Sequence, residues 1–179
     1  MHRYLLSINA YRRRLPVPVM LGGLLALASG CGDDEPSGPA PAFPSDYAAS
    51  YVEVRDCRLS GEHELSPVRV FADPGSAEAY SNRDQDLSEG AVIVKAEYYF
   101  SDPSCEGEIQ RWTVMLRDSE RSSPDTLDWY WQDVDARRNV VSENDSRCVG
   151  CHTGCGVPAV GGYQGTCSVG ASFGALEAL

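Results

Sequence analysis

The stretch Cys148-Val149-Gly150-Cys151-His152 has the C-x-x-C-H pattern of covalent haem attachment. In that chemistry two thiols add to the vinyl groups of the porphyrin, and the histidine becomes an axial ligand of the iron. The pattern predicts one haem c held by Cys148 and Cys151, with His152 on the iron. The alternatives are a local disulfide and half of a zinc site. Zinc requires a second pair of ligands, and His63 is the only other histidine outside the leader.

The first 30 residues have the composition of a secretory signal peptide. Arg12, Arg13 and Arg14 form a basic region, an apolar run covers residues 17–28, and small residues precede Cys31. This ending resembles a bacterial lipobox, so we predict a signal peptide over residues 1–30 and a lipidated Cys31. An ordinary signal peptide with Cys31 in a disulfide is the alternative. The lipid would hold the exported protein at the periplasmic face of a bacterial membrane, with the outer membrane favoured.

Removal of the leader leaves a chain that is long enough for one domain with a real core. The leader carries four arginines and no acidic residues, so the net charge changes from -11 to -11 - 4 = -15. An acidic surface argues against nucleic acid as a partner. Residues 31–44 are acidic and rich in Pro and Gly, which predicts a flexible linker. The haem domain is then expected over residues 45–179.

The seven cysteines are divided among lipid, haem and disulfides in this interpretation. Four remain once Cys31 and the two cysteines of the haem motif are assigned, and four cysteines allow three pairings. We predict that Cys57 pairs with Cys105 and that Cys155 pairs with Cys167. The second pair would close a Gly-rich tail that has little else to hold it.

Hydrophobic patterning predicts an α+β fold, mainly antiparallel β-sheet with short helices, packing one covalently bound c-type haem. A first amphipathic helix is expected from Ser45 or Asp46 to about Asp56, and a second short one near residues 76–80. The strands are expected at residues 68–72, 91–100, 109–117 and 127–134. A small helical electron carrier, the class I cytochrome c, is disfavoured. The motif comes late, only 27 residues follow it, and none of them is methionine.

Residues 46–152 resemble the cytochrome P-460 family and the related β-sheet cytochromes c-prime. The landmarks, in order, are the aromatic segment 47–51, Val68-Arg69-Val70-Phe71, Glu89-Gly90-Ala91-Val92-Ile93-Val94-Lys95, Trp112-Thr113-Val114-Met115, Trp129-Tyr130-Trp131 and a late C-x-x-C-H. Two features depart from the family pattern: the lipid anchor and the cysteines after His152.

The resemblance implies that the iron is five-coordinate through His152 and has an open distal position. It also implies a strand lysine bonded to a meso carbon of the haem, and Lys95 is the candidate because it is the only lysine of the chain. The alternative is that Lys95 faces solvent or pairs with Glu97, since residues two apart in a strand share a face.

For the distal pocket the sequence offers four candidates. Glu97 and Asp118 could accept protons, Met115 could approach the iron, and Phe100 could form an aromatic wall. The alternatives are a solvated strand edge for Glu97 and Asp118 and simple packing within the sheet for Met115. His63 is expected to lie exposed in a polar loop, away from the iron.

The resemblance suggests oxidation of hydroxylamine or nitric oxide at the open iron position. Binding of nitric oxide without turnover, or tethered electron transfer, are the alternatives. The expected partners are a small nitrogen-containing ligand and a redox protein, and a homodimer is left open.

Overall fold

Six antiparallel strands form one sheet in which every strand is hydrogen-bonded to its neighbours in the sequence. The structure is a computed structural model that describes residues 38–167. The predicted leader and the predicted lipidation site Cys31 lie outside the described part, as do residues 168–179. The strands are β1 Val52–Ser60, β2 Ser66–Ala72, β3 Val92–Tyr98, β4 Ile109–Leu116, β5 Tyr130–Asp135 and β6 Val140–Glu143. The helices are α1 Tyr47–Ser50, α2 Ala77–Asn82 and α3 Ser146–Cys155. No helix within the described residues is long and apolar enough to span a bilayer.

One face of the sheet is covered by the N-terminal end of the described chain. Side chains alternate along a strand, so β3 and β4 turn Val94, Ala96, Trp112 and Val114 to this face. Tyr47 of α1 packs on them, and its hydroxyl oxygen accepts a hydrogen bond from the Trp112 indole at 2.9 Å. This face therefore forms a closed aromatic and aliphatic core.

The opposite face carries an apolar row followed by polar rows. Strand register places Met115 beside Ile93 and Trp131 in the apolar row. The next row brings Lys95 beside Thr113, and the row after it pairs Glu97 with Arg111. Helix α2 packs Ala77, Ala79 and Tyr80 against the apolar end. The same register thus brings the ionisable strand residues together on one face.

The first element differs from the sequence prediction, because the predicted helix over residues 45–56 ends at Ser50. Tyr51 is already extended, and β1 follows and pairs with β2 over its length. Hydrogen bonding to the edge of β2 outweighs the helical spacing of Tyr47, Tyr51 and Val54. Strand β6 was not predicted because it is only four residues long and alternates between half-buried and exposed positions.

Residues 40–43 are packed on the domain, so the linker predicted over residues 31–44 ends earlier than expected. Phe43 is buried in the core of the first face. The Gln132 amide holds the same segment, donating to the Ala40 carbonyl at 3.1 Å and accepting from the Ala42 N–H at 2.7 Å. The folded domain therefore begins before residue 45.

Two disulfides are present among the described residues, and they are the pairs that the sequence predicts. Cys57 of β1 is joined to Cys105 in the connection between β3 and β4. Cys155, the last residue of α3, is joined to Cys167. The second bond closes the chain segment that follows the haem motif.

Candidate functional site

A cavity of about 770 Å³ lies against the face of the sheet that carries Met115 and Lys95, and α3 forms part of its wall. Helix α3 begins at the Asp145 cap, whose carboxylate accepts from the Arg147 N–H at 2.8 Å. Cys148, Cys151 and His152 are spaced three and four residues apart, so they occupy one side of this helix. All three line the cavity. The local helix therefore presents the whole motif to one space.

Cys148 and Cys151 are free thiols, whereas the other four cysteines of the described chain form disulfides. Burial raises the pKa of Cys148, which keeps it as a thiol. His152, Cys155 and Cys167 also place ligand atoms within 4.8 Å of one another. Because Cys155 and Cys167 are bonded to each other, this cluster has no thiolates for zinc. The free cysteines are thus those of the motif, and they are not joined in a local disulfide.

His152 is held as a neutral imidazole. Its Nδ1 donates to the carbonyl oxygen of Gly165 at 2.6 Å, so the proton lies on Nδ1 and Nε2 keeps its lone pair. Burial lowers the pKa of His152 to about 4. The ring of Trp131 meets the imidazole edge-to-face, with 4.6 Å between the centroids. The histidine is therefore fixed in the tautomer that a metal ligand at Nε2 requires.

Lys95 reaches the same cavity from β3 and is linked to a buried carboxylate through His63. Its Nζ donates to His63 Nε2 at 2.6 Å, and His63 Nδ1 donates to Glu97 Oε1 at 2.7 Å. His63 ends the 3-10 turn Gly61–His63 between β1 and β2. This turn brings the imidazole over the sheet, with only 15% of its side chain exposed. The prediction of a solvent-exposed His63 is wrong.

Glu97 is fully buried and is the centre of this network. It also accepts from Arg111 Nε at 2.7 Å and from the Thr113 hydroxyl at 3.0 Å. Burial alone would raise the pKa of Glu97, but the hydrogen bonds and charges of His63 and Arg111 lower it to about 2. Burial lowers the pKa of Lys95 to about 8, against the opposing charge of Glu97. The network therefore joins a carboxylate that stays ionised at neutral pH to an amine whose pKa is lowered.

Of the other distal candidates, only Met115 lines the cavity. Phe100 follows the end of β3, and 67% of its surface is exposed, so it does not form a wall of the cavity. Asp118 lies beyond the end of β4, in a turn where its carboxylate accepts from Arg121 Nε at 2.5 Å. Phe100 and Asp118 miss the cavity for the same reason. Both lie past the end of their strand, where the alternation of the pleat no longer directs side chains onto one face of the sheet.

The cavity lining combines an apolar part with charged side chains of both signs, since Glu64, Asp133 and Asp145 line it as well as arginines. Ile93, Met115 and Trp131 supply apolar surface, while four arginines reach the same space: Arg55, Arg58, Arg111 and Arg147. The chain as a whole carries a net charge of -11, so this concentration of guanidinium groups is local. Guanidinium groups pair well with carboxylates.

These features fit a haem. Its ring is apolar, its two propionates are anionic, its vinyl groups require thiols, and its iron requires a neutral imidazole. The cavity volume also lies within the roughly 300–1,000 Å³ of cofactor sites.

The sequence signals for this site were unequal. The haem motif could be read directly, but His63 could be placed only with the hairpin between β1 and β2, and β1 was not predicted. The carbonyl of Gly165 is a backbone group, so no residue type in the sequence indicates that it binds His152.

Comparison with known families gives one match, to the family described as Cytochrome P460, over residues 44–156. This is more than half of the 179 residues, and it includes the six strands and all of α3. No curated protein matches the chain.

Proposed function

The chain belongs to the cytochrome P460 family and is a haem protein of that family, and from this premise we propose that it is an exported c-type haem protein that acts on small nitrogen species. Oxidation of hydroxylamine is the favoured reaction, with nitric oxide as the second substrate or ligand. The observation that carries the proposal is the presence of two free thiols and a neutral imidazole on one cavity.

Cys148 and Cys151 would hold the haem covalently, and His152 Nε2 would bind its iron. When bound, the haem supplies an electron acceptor and a coordination position for the nitrogen species. The arginines that line the cavity could also contact its propionates: Arg55, Arg58, Arg111 and Arg147.

Oxidation of hydroxylamine releases protons as well as electrons, so a proton acceptor is needed beside the substrate. The Lys95–His63–Glu97 network meets this need. Glu97 does not line the cavity, but His63 and Lys95 do. Lys95 Nζ donates to His63 Nε2 at 2.6 Å, so a proton accepted by the neutral form of Lys95 can pass along this hydrogen bond to Nε2. A proton taken up at Nε2 would be stabilised through Nδ1 by the buried carboxylate, which stays ionised. His63 is thus the proposed base and Glu97 its positioning partner.

Lys95 remains the candidate for the bond to a haem meso carbon that the family resemblance implies. Its Nζ is on the cavity, and its lowered pKa favours the neutral amine that such a bond requires. Mass spectrometry of the haem peptide after proteolysis tests this directly. A peptide carrying residue 95, the haem and the C-x-x-C-H segment together supports the bond, and separate peptides contradict it.

The function is tested with the purified haem-loaded protein under anaerobic conditions. Addition of hydroxylamine and an artificial electron acceptor should reduce the acceptor in proportion to the hydroxylamine consumed. The double variant Cys148→Ser/Cys151→Ser should lose covalently bound haem, seen as loss of haem staining on a denaturing gel. If nitric oxide binds to the reduced protein but hydroxylamine gives no turnover, the nitric-oxide-binding function takes the place of the oxidase. If neither nitric oxide nor carbon monoxide binds, electron transfer remains.

The location outside the cytoplasm and the lipid anchor on Cys31 belong to the same proposal. They are supported by the lipobox-like sequence before Cys31 and by two disulfides, which persist in oxidising compartments. Fractionation of cells should recover the protein with membranes, and Cys31→Ser should release it. A redox protein is the expected electron acceptor, and a homodimer is left open.

A further inference from the structure

The segment after α3, residues 156–167, supplies a hydrogen-bond acceptor for the imidazole of His152. The Gly165 carbonyl oxygen lies 2.6 Å from Nδ1. The family match ends at residue 156, so this acceptor belongs to a part of the chain that the family pattern does not cover. We call residues 156–167 the proximal loop.

The proximal loop is closed at its base onto α3. Cys155 and Cys167 are bonded across its two ends, and the Gly165 N–H donates to the Gly156 carbonyl at 3.1 Å. The contact leaves no room for side chains, because a Cβ on Gly162 would lie 2.1 Å from the Cys155 carbonyl oxygen. The loop and the last turn of the helix are therefore packed backbone against backbone.

The outer part of the proximal loop is fixed on the domain by residues that no haem chemistry requires. The Trp129 indole donates to the Gln164 carbonyl at 2.7 Å. The Gln164 side chain accepts from the Leu87 N–H at 3.0 Å, and the Tyr163 hydroxyl donates to the Gln85 carbonyl at 2.6 Å. With the disulfide at one end and these bonds at the other, the position of the Gly165 carbonyl is determined from both sides.

We propose that the proximal loop, closed by Cys155–Cys167, is a positioning element for His152. Its Gly165 carbonyl fixes the plane of the imidazole and, by accepting the Nδ1 proton, makes Nε2 a stronger donor to iron. A stronger donor favours ferric over ferrous iron, so the loop lowers the reduction potential of the haem. This inference rests on the proposed binding of the haem iron by His152.

The first test compares two double variants of the haem-loaded protein. Cys155→Ser/Cys167→Ser opens the loop, whereas Cys57→Ser/Cys105→Ser removes the disulfide that lies outside it. Resonance Raman spectra of the ferrous protein report the iron–histidine stretching frequency, and redox titration reports the potential. Opening the loop should lower the frequency and raise the potential. The loss of a hydrogen-bond partner of a metal ligand changes metal affinity by about tenfold at the lower end. If this change applies to the ratio of the ferric and ferrous affinities, the potential shifts by about 59 mV for one electron. The control should change neither quantity.

A second pair of variants keeps every cysteine. Gly165 has φ +80°, and a Cβ there would lie 3.1 Å from Trp129 Nε1, so Gly165→Ala displaces the acceptor. Gly90 has φ +84° and open space around it, so Gly90→Ala imposes the same backbone strain elsewhere. Gly165→Ala should lower the iron–histidine frequency, and Gly90→Ala should not.

An unchanged frequency in both loop variants, with haem bound and the fold intact, overturns the inference. That result leaves the proposed function standing. A wild-type protein that takes up no haem removes the proposed function and the inference together.

Discussion

Replacing Glu97 by Gln tests whether the buried carboxylate is held by charge. The pKa of Glu97 falls from its ordinary 4.5 to about 2 in the folded protein. Each pKa unit corresponds to about 1.4 kcal/mol, so ionisation stabilises the fold by about 3 kcal/mol at pH 7. This stability is complete above the unfolded pKa and is lost as the pH falls through the folded one. At pH 3 less than half of it should remain.

The measurement is urea unfolding of the haem-loaded protein with its disulfides intact, followed by circular dichroism at several pH values. Glu97→Gln should cost about 3 kcal/mol at pH 7, and the difference from wild type should shrink on acidification. Asp118→Asn removes a carboxylate that also contacts an arginine but lies half-buried beyond β4, next to the exposed Ser119 and Glu120, so its effect should be smaller. A penalty for Glu97→Gln that is equally large at pH 7 and pH 3 would refute the electrostatic explanation.

His63→Gln should lower kcat for hydroxylamine oxidation by about 100-fold or more, because it removes the proposed base. It should leave carbon monoxide binding to the reduced protein unchanged, and unchanged turnover would exclude His63 as the base. Phe43→Ala should cost about 3–5 kcal/mol in urea unfolding because the ring is buried in the core. The matched control Phe100→Ala, at a site that is 67% exposed, should change the stability by less than about 0.5 kcal/mol.

Sequence patterning was sufficient for the centre of the sheet. Strands β3 and β4 are dense in β-branched and aromatic residues, and Met115 and Thr113, two residues apart in β4, line the same cavity as strand alternation requires. It failed at the edges, where β1 is interrupted by register shifts and β6 is very short. Edge strands bury less surface, so their sequences carry less of the period-two signal.

The candidate site was also predictable only in part. The cysteines and the histidine of the motif are adjacent in sequence, so their chemistry could be predicted without a fold. His63 and Lys95 are 32 residues apart and meet only because β1, β2 and β3 pair in register. A partner that depends on strand register, or on a backbone carbonyl such as that of Gly165, requires tertiary structure to be seen.

The order of the strands bears on how the holoprotein is assembled. Each strand pairs with the one synthesised just before it, so the sheet can grow hairpin by hairpin from its N-terminal end. Helix α3 comes after all six strands, and the Cys155–Cys167 bond comes later still. The part of the cavity wall that the sheet supplies can therefore form while the C-x-x-C-H segment is still an open chain. If the haem is attached as proposed, thiol addition would require access to this segment alone, and closing of the disulfide would then hold the helix on a finished sheet.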